Sequence, residues 1–224
     1  MSSDRKLKVR VWSEHTARRQ YYPDDINGAV AEGLRGDPDL EVVTAELVDE
    51  GDGVPEEALA ETDVLVWWGH QLHRYVEDSA VDRIVDHVRR RGMGFLALHS
   101  SHMSKPFTRL VGASGSIGGV ALDGGREDIS IEAPDHPVAR GVGRLVLEKE
   151  ESYDEPFDCG EPDVVVFSSS FDNGQRFRSG LAYTVGAGRV FYFRPGHETY
   201  PELFNGQVRQ IIRNAVHWLA GDDR

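Results

Sequence analysis

A single cysteine, Cys159, among 224 residues excludes an internal disulfide and any cysteine-based zinc cluster. Long apolar runs are missing too. The longest, Val64–Trp68, Phe95–Leu98 and Val190–Phe193, fall far short of the roughly 20 residues a membrane helix needs. The opening Met1-Ser-Ser-Asp-Arg-Lys6 lacks the apolar core of a signal peptide, so a cytoplasmic location with no membrane contact is expected. Positive charge is in deficit: 25 basic against 38 acidic side chains give a formal charge of −13. That disfavours nucleic acid and anionic membrane as partners. Lysine is scarce, four residues against 21 arginines. An acidic, lysine-poor surface suits a high-salt cytoplasm, and a GC-rich genome gives the same arginine bias. Repeats, low-complexity segments and dividing linkers are absent, so one domain is expected over residues 1–224, and a homo-oligomer fits this size.

What is present reads as α/β. Lys8–Trp12 alternates like a strand, and Asp24 and Asp25 offer N-caps for a helix through Ile26, Ala29, Val30 and Leu34. Leu40–Val48 reads as a strand and Glu56–Glu61 as a short helix. Asp63–Gly69 and Gly92–His99 are continuous apolar runs, the mark of strands buried on both faces of a parallel sheet, and the amphipathic segment Val76–Arg91 lies between them. Strands alternating with helices predict a doubly wound, flavodoxin-like, mostly parallel sheet. The second half changes character. Ile129–Ala133, Leu145–Glu150, Asp163–Ser169, Gly180–Thr184 and Arg189–Phe193 read as strands joined by turns, an antiparallel extension, before a last helix over Val208–Leu219.

Ligands of open α/β sheets bind beyond the carboxyl ends of the strands, and here those ends carry histidine. One run ends Trp67-Trp68-Gly69-His70-Gln71-Leu72-His73, the next Leu98-His99-Ser100-Ser101-His102, and a later one Arg194-Pro195-Gly196-His197-Glu198. Five of the nine histidines thus gather at one expected rim. Imidazoles converging with a carboxylate can hold a divalent ion, zinc or manganese, and the ligand candidates are His70, His73, His99 and His102. A histidine at a strand end also serves as a hydrogen-bonded structural residue or a substrate donor. His15, His87, His136 and His217 read as structural or exposed. Glu150-Glu151-Ser152-Tyr153-Asp154-Glu155 is either a solvated acidic loop or a source of acid–base chemistry, with Glu151, Tyr153, His99 and His197 as catalytic candidates. Arg178, Arg194, Ser100 and Glu198 are candidates for binding substrate oxygens. The strand–turn at Gly92–Ser101 has the form of a nucleophile elbow without cysteine and without the Gly-x-Ser-x-Gly pattern. The glycine-rich Gly112–Gly125 lacks the strand-then-helix spacing of a dinucleotide site.

These residues together resemble the trehalose-utilisation ThuA family, a branch of the class I glutamine amidotransferase-like fold. The resemblance is carried by Tyr22-Pro23, by the His70/His73 and His99/His102 motifs, by Glu150-Glu151-x-Tyr153-x-Glu155-Pro156-Phe157, by Phe177-Arg178-Ser179-Gly180, and by the long Phe191–Pro201 motif. It implies a flavodoxin-like sandwich whose elbow holds His99 where amidotransferases hold cysteine. Family members often carry histidine in the first helix, where this chain has Asn27. The resemblance also implies a small-molecule carbohydrate as substrate and a role in disaccharide catabolism beside dehydrogenases that make 3-keto-sugars. A metal-assisted isomerisation or cleavage of such a keto-sugar is the expected reaction. A Ser100/His99 hydrolase and a non-catalytic sugar-binding or regulatory module are the other two readings.

Overall fold

Strands buried on both faces set the architecture of the computed structural model, which describes residues 5–222; Met1–Asp4, on which part of the signal-peptide reading rests, and Asp223–Arg224 lie outside the described residues. The chain alternates as β1 (Leu7–Ser13), α1 (Asp25–Arg35), β2 (Leu40–Glu46), α2 (Glu56–Ala60), β3 (Val64–Trp68), α3 (Asp78–Arg91), β4 (Gly94–Leu98) and α4 (Lys105–Val111). It continues as β5 (Gly119–Ile131), β6 (Leu145–Asp154), β7 (Val164–Phe171), β8 (Arg176–Val185), β9 (Gly188–Phe193) and α5 (Gly206–Leu219). All nine strands form one sheet in the order β2-β1-β3-β4-β9-β8-β7-β5-β6. The half from β2 to β9 is parallel, and β8, β7, β5 and β6 extend it antiparallel. This is the mostly parallel sheet with an antiparallel extension that the sequence pattern implies.

Every residue of β3 (Val-Leu-Val-Trp-Trp) and β4 (Gly-Phe-Leu-Ala-Leu) is buried, because helices cover both sides of the sheet. One side packs against α1 and α5, with Val9, Val11, Val66, Leu96 and Leu98 meeting Ile26, Val30, Ile211 and Ala215. The other packs against α2, α3 and α4, where the Trp12 and Trp67 rings stack at 3.7 Å. Gly92, at φ 81°, ends α3 in the left-handed conformation that costs glycine little. No helix among the described residues is long and apolar enough to cross a membrane.

Two stretches differ from the sequence reading. The Gly112–Gly125 segment is the C-cap of α4, a connecting stretch and the first half of β5, whose register against β6 shifts between Ala121 and Gly125 and again between Gly125 and Glu127. The Glu150–Asp154 stretch continues β6 instead of forming a solvated loop, and Glu150 and Glu151 are buried.

Candidate functional site

The carboxyl ends of β3, β4 and β9 are neighbours in the sheet, and each delivers one histidine to the same place. The ring centroids of His70 and His99 lie 6.1 Å apart, those of His99 and His197 5.2 Å, and those of His70 and His197 6.0 Å. The end of β6 brings Glu151 and Tyr153 against them, and Glu198 and Ser100 follow from their chain neighbours.

His99 sits directly after β4 with φ 52°, the left-handed turn that the elbow reading implies. Its Nδ1 lies 3.0 Å from the Arg194 carbonyl. A carbonyl only accepts, so Nδ1 carries the proton and Nε2 presents its lone pair to the site. That lone pair lies 3.2 Å from Glu151 Oε2, an oxygen without a hydrogen-bond partner, and 3.4 Å from the Tyr153 hydroxyl. Complete burial, then the charge of Arg194, holds the His99 pKa well below its ordinary value, so the ring is neutral. Burial likewise pushes the Tyr153 pKa well above its ordinary value, so its hydroxyl keeps its hydrogen.

His197 has the opposite tautomer. The Thr199 backbone N–H donates to its Nδ1 at 3.1 Å, so the ring proton is on Nε2, which faces Glu151 Oε1 at 3.7 Å. Burial, then His99, lowers its pKa to about 4. Glu151 therefore lies between an imidazole that accepts and one that donates. His70 completes the group: its Nδ1 is 2.7 Å from Ser100 Oγ and its Nε2 3.5 Å from Glu198 Oε1. Its side chain is 26% exposed against 3% for Glu151 and 0% for His99, so the site opens to solvent on the His70 side.

Beneath this layer lies an ion cluster that the sequence did not announce. Arg194 and Glu127 pair through Nε–Oε1 at 3.0 Å and through Nη2–Oε2, both side chains fully buried. Arg194 Nη1 donates to the Glu151 carbonyl at 2.8 Å, and Nη2 is 3.5 Å from Glu150. Burial opposes the Arg194 charge, but the Glu127 and Glu150 carboxylates raise its pKa above the ordinary value. Two carboxylates facing one guanidinium leave a surplus negative charge. Burial, opposed by Arg194 and reinforced by Glu127, pushes Glu150 up to about 8, so it keeps its proton at neutral pH. Glu14, also unforeseen, accepts backbone N–H bonds from His70, Gln71, Leu72 and His73 at 2.6–2.9 Å. Those donors outweigh burial and hold its pKa below the ordinary value. Nothing in the spacing around Glu14 marks this role; only the fold brings it to the loop after β3.

Other candidate residues lie apart from this group or have different partners there. The Arg194 guanidinium is 0% exposed and bonds Glu127 and the Glu151 carbonyl. Arg178 is taken up by Glu155 through two nitrogens, at 2.9 and 3.0 Å, and by the Phe157 carbonyl. His102 turns into the core: its Nδ1 donates to the Gly115 carbonyl and its ring packs on Tyr153, Phe157 and Tyr192. Neither His102 nor His73 belongs to a group of ligand atoms at metal-binding distance among the described residues; those groups are His70, His99, Glu198 and His99, Glu151, His197. Asn27 donates to the Ala45 carbonyl, serving the packing of α1 on β2. The serine–histidine pairing also changes partner, because Ser100 faces His70 rather than His99.

Known proteins with similar structures share this architecture at low identity. A ThuA-like protein from Bacteroides uniformis ATCC 8492 superposes with a TM-score of 0.72 at 16% identity, over 100% of this chain and 96% of that one. A cytoplasmic protein from Salmonella typhimurium LT2 gives 0.65 at 14%, over 95% and 99%. A glutamine amidotransferase from Thermotoga maritima gives 0.58 at 12%, over 96% and 98%. No curated protein matches the chain. The sequence profile of the trehalose-utilisation family ThuA matches residues 8–219, nearly the whole chain. The chain belongs to the ThuA family and has the glutamine amidotransferase-like fold, with histidine at its elbow.

Proposed function

We infer that the chain is a cytoplasmic enzyme of disaccharide catabolism that isomerises or cleaves a 3-keto-sugar by acting next to its carbonyl. The observation that carries this reading is the buried Glu151 carboxylate between the accepting Nε2 of His99 and the donating Nε2–H of His197. The trehalose-utilisation family supplies the sugar context, and one structural neighbour is described as cytoplasmic.

A carbonyl at C3 of a sugar acidifies the hydrogen on C2. In this reading Glu151 takes that proton, the C–H electron pair moves into the carbonyl to give an enediolate, and the His197 Nε2–H donates to the oxygen where charge develops. Return of the proton to C3, with the hydroxyl proton passing from O2 to O3, gives isomerisation. Expulsion of the C1 oxygen substituent, protonated as it leaves, gives cleavage. Both outcomes share the first step, so one acid–base constellation serves either. Tyr153, kept protonated by burial, is a second fixed donor. A divalent ion, where bound, would polarise the carbonyl.

The test is turnover of 3-keto-disaccharides beside their unoxidised parents. Consumption of the keto-sugar alone, lost in Glu151→Gln, is the expected result. Saturable sugar binding without any turnover would make the chain a binding or regulatory module instead.

A further inference from the structure

We propose that His70, His99 and Glu198 form a site for one divalent ion of the zinc or manganese class, with Ser100 holding the ring of His70 in place for it. The proposal deepens the reading above and rests on it for the ion's use, but ion binding is measured without any sugar.

The ligand atoms of these three residues lie within 4.8 Å of one another. Two imidazoles and one carboxylate are a donor set that zinc and manganese accept, with positions left for oxygens of a substrate. The tautomers agree with the assignment. His99 donates its Nδ1–H to a backbone carbonyl and turns the Nε2 lone pair inward, as metal-ligating histidines do. His70 places Nδ1 2.7 Å from Ser100 Oγ, and Ser100 Oγ lies 3.3 Å from the Tyr153 hydroxyl. With Ser100 accepting from Nδ1–H and donating to Tyr153, the lone pair of His70 is left on Nε2, 3.5 Å from Glu198 Oε1. Glu198 Oε2 is buried and has no hydrogen-bond partner. The lone pairs of His70 and His99 and the unpartnered Glu198 oxygen thus converge, with only the Tyr153 hydroxyl, 3.4 Å from His99 Nε2, to offer a hydrogen, and a cation resolves the rest of that crowding.

The neighbouring group of His99, Glu151 and His197 satisfies the same distance requirement but not the chemistry. A neutral imidazole has one lone pair, and that of His197 is taken by the Thr199 N–H. His197 is therefore a donor at this site, and Glu151 remains beside the ion as the proton acceptor.

The alternative position of one hydrogen gives a different machine. If Ser100 donated to His70 Nδ1, then Nε2–H would face Glu198, and Ser100, His70 and Glu198 would form a nucleophilic array. The two arrangements exclude one another, and one experiment separates them. The full chain is stripped of metal, its fold checked by circular dichroism, and titrated with zinc chloride and with manganese chloride by calorimetry, with elemental analysis after dialysis. The expected result is about one equivalent of ion. Affinity should fall more than about a hundredfold in His99→Asn and in Glu198→Gln, about ten- to a hundredfold in Ser100→Ala, and not at all in His73→Gln. Retention of neither ion by the folded wild type, or unchanged affinity in both ligand variants, would overturn the assignment. So would labelling of Ser100 in the stripped chain by a fluorophosphonate, abolished in His70→Gln. Keto-sugar turnover by the ion-free chain would overturn the ion's use in the reaction while leaving the reading of the reaction standing.

Discussion

Arg194 and His99 are joined at 3.0 Å through the arginine's main-chain carbonyl, not through its charge. That bond fixes which imidazole nitrogen faces the site. The arginine's side chain meanwhile holds the Glu151 backbone and is itself held by Glu127. One residue of β9's end thus sets both the base-accepting face of His99 and the position of the carboxylate beside it.

Replacing His99 by asparagine should therefore remove function while sparing the fold. Asparagine tolerates the positive φ at this position better than most side chains, but it carries no imidazole. We expect kcat/KM on the keto-sugar to fall by about 10²- to 10⁴-fold, with far-UV circular dichroism unchanged.

Breaking the buried ion pair should act on stability first. Arg194→Met leaves Glu127 and Glu150 together in a fully buried site with no cation. Uncompensated buried charge costs about 3–5 kcal/mol, read as a lower urea midpoint. Glu127→Gln combined with Arg194→Met should cost less than the sum of the single changes, because the double variant strands no charge.

The buried ring of His102 should give an acid-sensitive slope. Burial lowers its folded pKa from 6.5 to about 4. The unfolded chain then binds a proton between those values that the native state refuses, so stability is lost as pH falls from about 6.5 towards 4. Over that window the loss amounts to about 3 kcal/mol. Denaturation of wild type and His102→Gln across this range should show the wild type losing more by about that amount. Parallel curves would contradict the assignment.

Glu14 should matter at a distance from any substrate. Its four backbone acceptor contacts hold the loop that carries His70. Glu14→Gln keeps the shape but replaces an acceptor oxygen by a donor nitrogen facing N–H groups. We expect a stability loss of about 1–3 kcal/mol, and a weaker ion affinity than in a surface control such as Glu57→Gln.

Much of the fold was legible because periodicity reports burial. The runs at β3 and β4 are apolar at every position, which only a parallel strand covered on both faces requires. The gathering of His70, His99 and His197 was legible for a related reason, since each follows a strand and strand ends share a rim. Local pattern was blind where tertiary contact decides. Glu150 and Glu151 read as a solvated loop, yet Arg194, which follows β9 far along the chain, lies beside the Glu150 carboxyl and bonds the Glu151 backbone carbonyl where β6 carries them inside. The pairing of Arg194 with Glu127 was hidden in the same way, for nothing near Arg194 in sequence shows Glu127. His102 stands three residues after His99 and looked like its twin; the short helical turn that follows β4 sends one ring to the site and the other into the aromatic core.

The most direct test of the central claim is exchange at carbon. Wild type and Glu151→Gln are incubated with a 3-keto-disaccharide in heavy water, and recovered substrate and product are read by NMR. The account predicts deuterium at C2 of recovered substrate, deuterium at C3 of isomerised product, or a cleaved product that has lost the C2 hydrogen, with all of these absent in Glu151→Gln. Conversion that leaves the C2 hydrogen unexchanged and proceeds equally in the variant would contradict it.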